Sequence, residues 1–293
     1  FKQKTAYEIL SGLVGSEMCI RDRDNLLKKI TSPNGGIFTG AGTNSYLIGE
    51  KDITLVDPGP NIPSHLDKLV EIADSNIKRI LVTHTHMDHS PGAKPLAERL
   101  SIPCYGKLVE NDFSIQDESF KPDFILSEDE HIKTEEYTIK PIHTPGHASN
   151  HYCFLIDEIK CLLSGDHIMD GSTVVIAPKD GNMNEYISSL KKLNDFSFDS
   201  IAPGHGNYID NPFEIIEWTI QHRLDREEKV HKKLSKLGAT GINRLLISVY
   251  NDVNPKLLPI AKWSLEAHLI KLIEDERVAV SYTHLTLPTN REV

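Results

Sequence analysis

The segment Thr83-His84-Thr85-His86-Met87-Asp88-His89 packs four potential metal ligands into six residues. An apolar, strand-like run, IKRILVT, leads directly into it. On an extended backbone, side chains at i and i+2 project to the same side, so His84 and His86 can face one point. A turn after them lets Asp88 and His89 reach a neighbouring point. Imidazole and carboxylate suit a borderline dication such as zinc. Buried without partners, the same groups would be costly, so a purely structural role accounts poorly for four of them together.

Three further positions share one local pattern. Thr144-Pro145-Gly146-His147, Ser164-Gly165-Asp166 and Pro203-Gly204-His205-Gly206 each place a histidine or aspartate beside glycine, just after a strand-like run. Glycine lets the backbone approach a bound group closely. Taken singly, a His or Asp in a turn is more often a cap or a hydrogen-bonding residue. The repeated context is what points to a site. His143, His151 and His167 lie near these motifs and are read either as supporting or substrate groups or as packing residues.

The elements that must position these groups are legible in outline. Residues 44–48, 53–57, 77–83, 137–143, 152–156, 160–163 and 200–203 read as strands. Helical patterns cover 64–73, with Ser64 as the expected N-cap, then 93–100 and 184–193. Such a mixture of strand pairs and strand–helix units implies a mixed sheet with helices packed outside. Residues 106–136 are polar, acidic and give no clear pattern. From about residue 212 strands disappear: helices are expected over 215–237, 242–250 and 256–273, then a strand at 277–280. Three helices and a strand suggest a small winged-helix-like module. Residues 224–280 carry ten Lys/Arg against eight Asp/Glu, while the whole chain has a net charge of −10.

The ordered set His-x-His-x-Asp-His, Thr-Pro-Gly-His, Ser-Gly-Asp and Pro-Gly-His-Gly resembles the metallo-β-lactamase superfamily. It is closest to the branch of glyoxalase II and the lactamase-beta-2-like proteins. Residues 42–49 (GTNSYLIG) resemble that family's opening strand and Asp57-Pro58-Gly59 its next turn. The resemblance spans roughly residues 26–280. It implies an α/β (α+β) fold, a four-layer αβ/βα sandwich with a small C-terminal helical winged-helix-like domain. It also implies a ligand set: His84, His86 and His147 for a first metal, Asp88, His89 and His205 for a second, and Asp166 bridging both. Two zinc ions per chain are expected, with manganese or iron as substitutes. Asp88 and Asp166 are the expected catalytic carboxylates. In such sites paired metals activate a water for attack.

Substrate must be argued separately from fold. The segment SLEAHLIKLIEDERVAV and the run GHASNH resemble the lactamase-beta-2-like branch, which implies a phosphodiester substrate, a candidate single-stranded RNA. The net negative charge counts modestly against a polyanion. The alternative is a small-molecule ester or thioester, as in glyoxalase II. Two further readings are a nucleic-acid-binding protein with a structural metal site and a persulfide dioxygenase holding one iron. β-Lactam hydrolysis is not expected.

Ordinary composition and 293 residues suit a globular protein with a real core. No apolar run approaches the roughly 18–20 residues of a membrane span. The four cysteines, Cys19, Cys104, Cys153 and Cys161, form no Cys-x-x-Cys pair and read as buried thiols of a cytoplasmic protein. Residues 1–23 and 281–293 resemble translated sequencing-adapter read-through and are expected to be foreign, with the native start missing. The expected division is then 24–211 for the main domain and 212–280 for the module, which could bind RNA, line the substrate groove or serve a homodimer.

Overall fold

The computed structural model describes residues 20–23, 25–109, 116–281 and 284–286. Two sheets carry the fold. The first contains, in chain order from edge to edge, β1 Ile20–Arg23, β2 Leu27–Thr31, β3 Asn44–Ile48, β4 Ile53–Val56, β5 Ile77–Leu81, β6 Cys104–Gly106 and β7 Phe124–Ile125. The second consists of β8 Ile132–Lys133, β9 Thr138–His143, β10 Tyr152–Ile156, β11 Cys161–Gly165 and β12 Ser200–Pro203, arranged β12-β11-β10-β9-β8.

Strand alternation builds the layers. Along β3, Tyr46 and Ile48 face the space between the sheets, while Leu47 faces outward. Along β10, Tyr152, Phe154 and Ile156 face inward, while Cys153 and Leu155 face outward. Both faces of these strands are therefore buried, which explains their nearly continuous apolar sequences. Helices α1 Pro63–Ile72 and α2 Ala93–Leu100 cover the first sheet through Leu66, Leu69, Val70, Ala93 and Leu96. Helix α3 Met183–Lys192 and the first half of α4 Pro212–Leu237 cover the second through Tyr186, Leu190, Ile215, Ile216 and Ile220. The result is the expected four-layer α/β sandwich.

The second half of α4 enters a separate core. Val230 and Leu234 pack with Leu245, Leu246 and Val249 of α5 Ile242–Val249 and with Leu265, Leu269 and Leu272 of α6 Leu258–Glu274. The hairpin β13 Ala279–Ser281 and β14 His284–Thr286 follows. Helix α4 thus belongs to both cores. Among the described residues, no helix is long and apolar enough to cross a membrane.

Local differences from expectation have physical reasons. Helix α1 has Ile62 at its cap and no side-chain cap bond, so Ser64 lies inside the helix. Pro63, with its φ already helical and no N–H to satisfy, starts the helix instead. The expected helix over 256–273 opens as a 3-10 turn, Pro255–Leu257, because Asn254 accepts from the Lys256 N–H. The last strand begins at Ala279 rather than Arg277. Strand β2 was hidden by two lysines in LKKIT. One of them, Lys29, is buried and donates from Nζ to the Gly206 carbonyl at 2.9 Å. Backbone pairing of β1 with β2 and of β14 with β13 reaches into the two terminal segments read as foreign. Residues 1–19 of those segments, with Cys19, and residues 282–283 and 287–293 lie outside the described residues.

Candidate metal centre

Topology brings the scattered motifs together. Strand β9 is antiparallel to β10, β10 is antiparallel to β11, and β11 is parallel to β12. Strands β9, β11 and β12 therefore run the same way, and the residues that follow them emerge at one edge. Those residues include His147, Asp166 and His205. The first sheet delivers 84–89 from the end of β5 to the same place. Backbone bonds lock the two sheets there: Tyr152 N donates to Thr83 O at 2.8 Å, and Asn44 N donates to Gly204 O at 2.8 Å.

All seven expected ligand side chains meet at this edge. His84 Nε2 lies 2.9 Å from His86 Nδ1, which lies 3.1 Å from His147 Nε2. Asp88 Oδ2 lies 3.5 Å from His89 Nε2 and 3.2 Å from His205 Nε2. Asp166 sits between the two groups. Its Oδ1 is 3.3 Å from both His89 Nε2 and His205 Nε2, and its Oδ2 is 3.6 Å from His147 Nε2. Three sets of donor atoms are close enough to hold an ion each: His84/His86/His147, His84/His89/Asp166 and Asp88/His89/His205.

Glycine is required at two approaches. A Cβ on Gly204 would stand 2.6 Å from Asp166 Oδ1 and 2.8 Å from His89 Cε1. Gly146 has φ +131°, and a Cβ there would lie 2.3 Å from the Tyr186 backbone. Both glycines let a ligand-bearing turn close against its neighbours.

Proton accounting shows which lone pairs face inward. His147 Nδ1 lies 2.7 Å from the Val175 carbonyl, and His205 Nδ1 lies 3.1 Å from the Gly42 carbonyl. A carbonyl only accepts, so each Nδ1 carries a proton and each Nε2 is the atom left facing the centre. Thr83 Oγ1 donates to Asp57 Oδ2 at 2.7 Å, so its 3.0 Å contact with His84 Nδ1 is one in which the ring donates. His84 Nε2 then faces the centre as well. His89 Nδ1 donates to Asp57 Oδ2 at 2.8 Å. Buried His89 Nε2 and Asp166 Oδ1 have no hydrogen-bond partner. The centre thus aims imidazole nitrogens and carboxylate oxygens at one space, where a bound cation can replace the protons they otherwise hold. These residues fit a dinuclear metal site.

The electrostatics divide the cluster. Burial, reinforced by neighbouring imidazoles, drives His84 well below the ordinary histidine value and His86 down to about 3. Burial likewise lowers His147, against the pull of Asp166. Burial opposes charge on His89 and His205 too, but Asp88 and Asp166 prevail. His89 is held well above its usual value and His205 is raised to about 10. Burial alone would raise both carboxylates, yet His89 and His205 hold Asp88 and Asp166 well below the usual range. Protons on His89 and His205 balance the carboxylates when no cation does, and a metal competes for those same lone pairs.

Sequence reasoning missed the supporting layer. Asp57, read only as a turn residue, is buried and accepts from Thr83 N at 2.8 Å, Thr83 Oγ1 and His89 Nδ1. Its φ of +49° is unusual for a non-glycine residue. One signal could have found it: like Asp166, it is a carboxylate directly after an apolar strand. Of the three neighbouring histidines, His151 stands behind the site. Its Nε2 accepts from Asp166 N at 3.2 Å, and its Nδ1 bonds Thr144 Oγ1 at 2.9 Å. His167 is buried against the Tyr186 ring, and His143 bonds the Ser149 carbonyl away from the cluster.

A family model described as the metallo-beta-lactamase superfamily matches residues 38–205, and one described as a beta-lactamase associated winged helix domain matches residues 243–282. The chain is 31% identical over 272 residues to the beta-lactamase-like protein 2 homolog of Drosophila melanogaster, covering 86% of this chain and 89% of that protein. It is 28% identical over 267 residues to an atrochrysone carboxyl ACP thioesterase of Aspergillus chevalieri, covering 86% and 82%. Among solved structures, a beta-lactamase domain protein from Burkholderia ambifaria superposes with a TM-score of 0.80 at 17% identity, covering 95% of this chain and 96% of that one. The last likeness bears on the fold alone.

Proposed function

The chain belongs to the metallo-beta-lactamase superfamily and is a metal-dependent hydrolase, and on that premise we propose that it hydrolyses a carboxylic thioester or ester at a dinuclear zinc centre. Manganese or iron are the other metals that this donor set suits. The observation that carries the reading is the convergence of ligand atoms together with exposed apolar side chains on segments that carry the centre or are anchored to it. Ile37, Phe38 and Met87 are 57%, 50% and 56% exposed. Met87 lies within the ligand segment. Ile37 and Phe38 lie in the turn between Gly36 and Gly40, in a loop anchored at the centre by Gly42 O on His205 and Thr43 Oγ1 on Asp88. Exposed apolar side chains beside a polar centre suit an acyl chain better than a phosphodiester backbone. The thioesterase relative supports the same direction.

His84, His86 and His147 would hold one ion, Asp88, His89 and His205 the other, and Asp166 both. The chemistry that such a pair supplies when bound is acidification of a water and polarisation of the scissile carbonyl. The chain's own contribution is orientation. The Val175 and Gly42 carbonyls, Thr83 and Asp57 fix four imidazoles with Nε2 inward. Asp88, with its side chain 28% exposed, is the carboxylate at this centre best placed to take up a proton from the attacking water. Buried Asp166 keeps its charge between the two histidine groups.

A phosphodiester substrate, single-stranded RNA, is the second reading. One observation favours it: Lys229, Lys232, Lys233 and Lys236, with Asp225 and Glu228 among them, line a surface groove along α4 that is net positive. The deciding experiment gives the zinc-loaded full chain an acyl-pantetheine thioester panel and a labelled single-stranded RNA, beside Asp166→Ala and a chelator control. Thioester cleavage lost in both controls supports the proposal. RNA cleavage with those dependences and an inert thioester panel would replace it with the second reading.

A further inference from the structure

We propose that Arg223, on the helix shared by both cores, is a positioning residue for His147 and thereby makes the C-terminal module part of the metal centre. The inference rests on the dinuclear reading of the site. It starts from two consecutive carbonyls in the stretch between β11 and α3. Val174 O accepts from Arg223 Nη2 at 2.5 Å, and Val175 O accepts from His147 Nδ1 at 2.7 Å. One backbone segment is thus held from behind by the guanidinium and holds the imidazole in front.

The same arginine supports the other side of His147. Its guanidinium lies 5.3 Å over the Tyr186 ring. Tyr186 abuts Gly146, the residue before His147, so closely that no Cβ would fit there. The Tyr186 hydroxyl donates to the carbonyl of His167, the residue after Asp166, at 2.9 Å. Arg223 therefore backs both turns that carry His147 and Asp166, without touching either side chain.

The helix that carries Arg223 is tied into the module. Arg223 itself is 3% exposed. One turn further along α4, buried Glu227 pairs with Lys271 of α6 at 3.2 Å and with Arg277 before the hairpin at 3.0 Å. These pairs pin the helix face from which Arg223 projects. The path runs from α6 through α4 and Arg223 to Val174–Val175 and His147. A histidine whose Nδ1–H is held by a fixed carbonyl presents Nε2 in one tautomer and one orientation. With the carbonyl freed, both are lost.

The test separates positioning from stability. Arg223→Met removes the donors and keeps the apolar stem. Val230→Ala, in the module core on the same helix, matches it as a destabilising change without contact to the 174–175 segment. Zinc affinity is read by competition with a chromophoric chelator, ligand geometry by the visible spectrum of the cobalt-substituted protein, and stability by thermal midpoint. Arg223→Met is expected to weaken one of the two ions by about 10–100-fold and to shift the cobalt spectrum. Val230→Ala is expected to lower the midpoint with wild-type affinity and spectrum. Arg223→Lys, which keeps a charged donor and serves where the methionine variant fails to fold, should recover part of the affinity. Wild-type affinity and spectrum in the Arg223 variants would overturn the proposal, as would an equal shift in Val230→Ala. Wild-type protein loading fewer than two ions would instead overturn the reading of the site and this inference with it.

Discussion

Two regions of the molecule bury polar groups, and they balance them differently. In the helical module, Glu227 meets Lys271 and Arg277 at 3.2 and 3.0 Å, an acceptor facing donors of opposite charge. At the strand ends, His84 Nε2, His86 Nδ1 and His147 Nε2 stand 2.9 and 3.1 Å apart in sequence, imidazole facing imidazole with no opposite charge among them. The first cluster sets a carboxylate against two cations, so its charges balance within the protein. The second is left open on its inner side, while every outward ring nitrogen of His84, His89, His147 and His205 is satisfied. Burial and charge alone do not mark a site, because both regions have them. The convergence of several ligand atoms on one point does.

The strongest way to break this contrast is to open the supporting layer. Asp57→Ala leaves Thr83 N, Thr83 Oγ1 and His89 Nδ1 without their acceptor. It is expected to cost the metal-free protein about 3–5 kcal/mol in denaturant unfolding and to weaken zinc by about 10–100-fold in chelator competition. Unchanged zinc affinity would show that Asp57 only stabilises the fold.

The open cluster should also titrate against metal. Metal-free His205 is raised to about 10 by Asp166 and Asp88 against the opposing effect of burial, so at neutral pH it holds a proton that an incoming ion must displace. Apparent zinc affinity should therefore rise with pH from 6 to 9, by up to about tenfold per unit for each proton released. A flat profile in the same competition assay would contradict this assignment of protons.

The closed cluster should bear on the metal only indirectly, through the helix that carries Arg223. Glu227→Ala leaves Lys271 with Asp275 and Arg277 with Glu228, both nearer solvent. It should cost about 3 kcal/mol or less of stability and leave two ions per chain. Loss of an ion would show that the two regions are coupled more tightly than Arg223 alone implies.

The sequence made the open side legible and the closed side obscure. His84, His86, Asp88 and His89 were readable because they are contiguous. His147, Asp166 and His205 were readable because each follows a buried strand and carries a glycine. Their hydrogen-bond partners were not. The Val175 and Gly42 carbonyls have no residue-type signature, and Asp57 lies 32 residues from the His89 that it holds. The fold followed the same logic. Helix α2 over Ala93–Leu100 and strand β12 over Ser200–Pro203 matched the pattern, the helix because its buried apolar residues face one core and the strand because both of its faces are buried. Strands β7 and β8 have two residues each, too few for any period to show. Helix α4 read as part of the module, yet its apolar positions change cores midway, which a single-period pattern does not reveal.

The central claim is that seven side chains from both sheets form one centre for two metal ions. Its most direct test is the metal content of the purified full chain after zinc equilibration and removal of free metal, measured by elemental mass spectrometry beside Asp166→Ala. Two zinc ions per chain are expected in the wild type and fewer in the variant. One ion or none in the wild type, or two tightly held ions in both proteins, would contradict it.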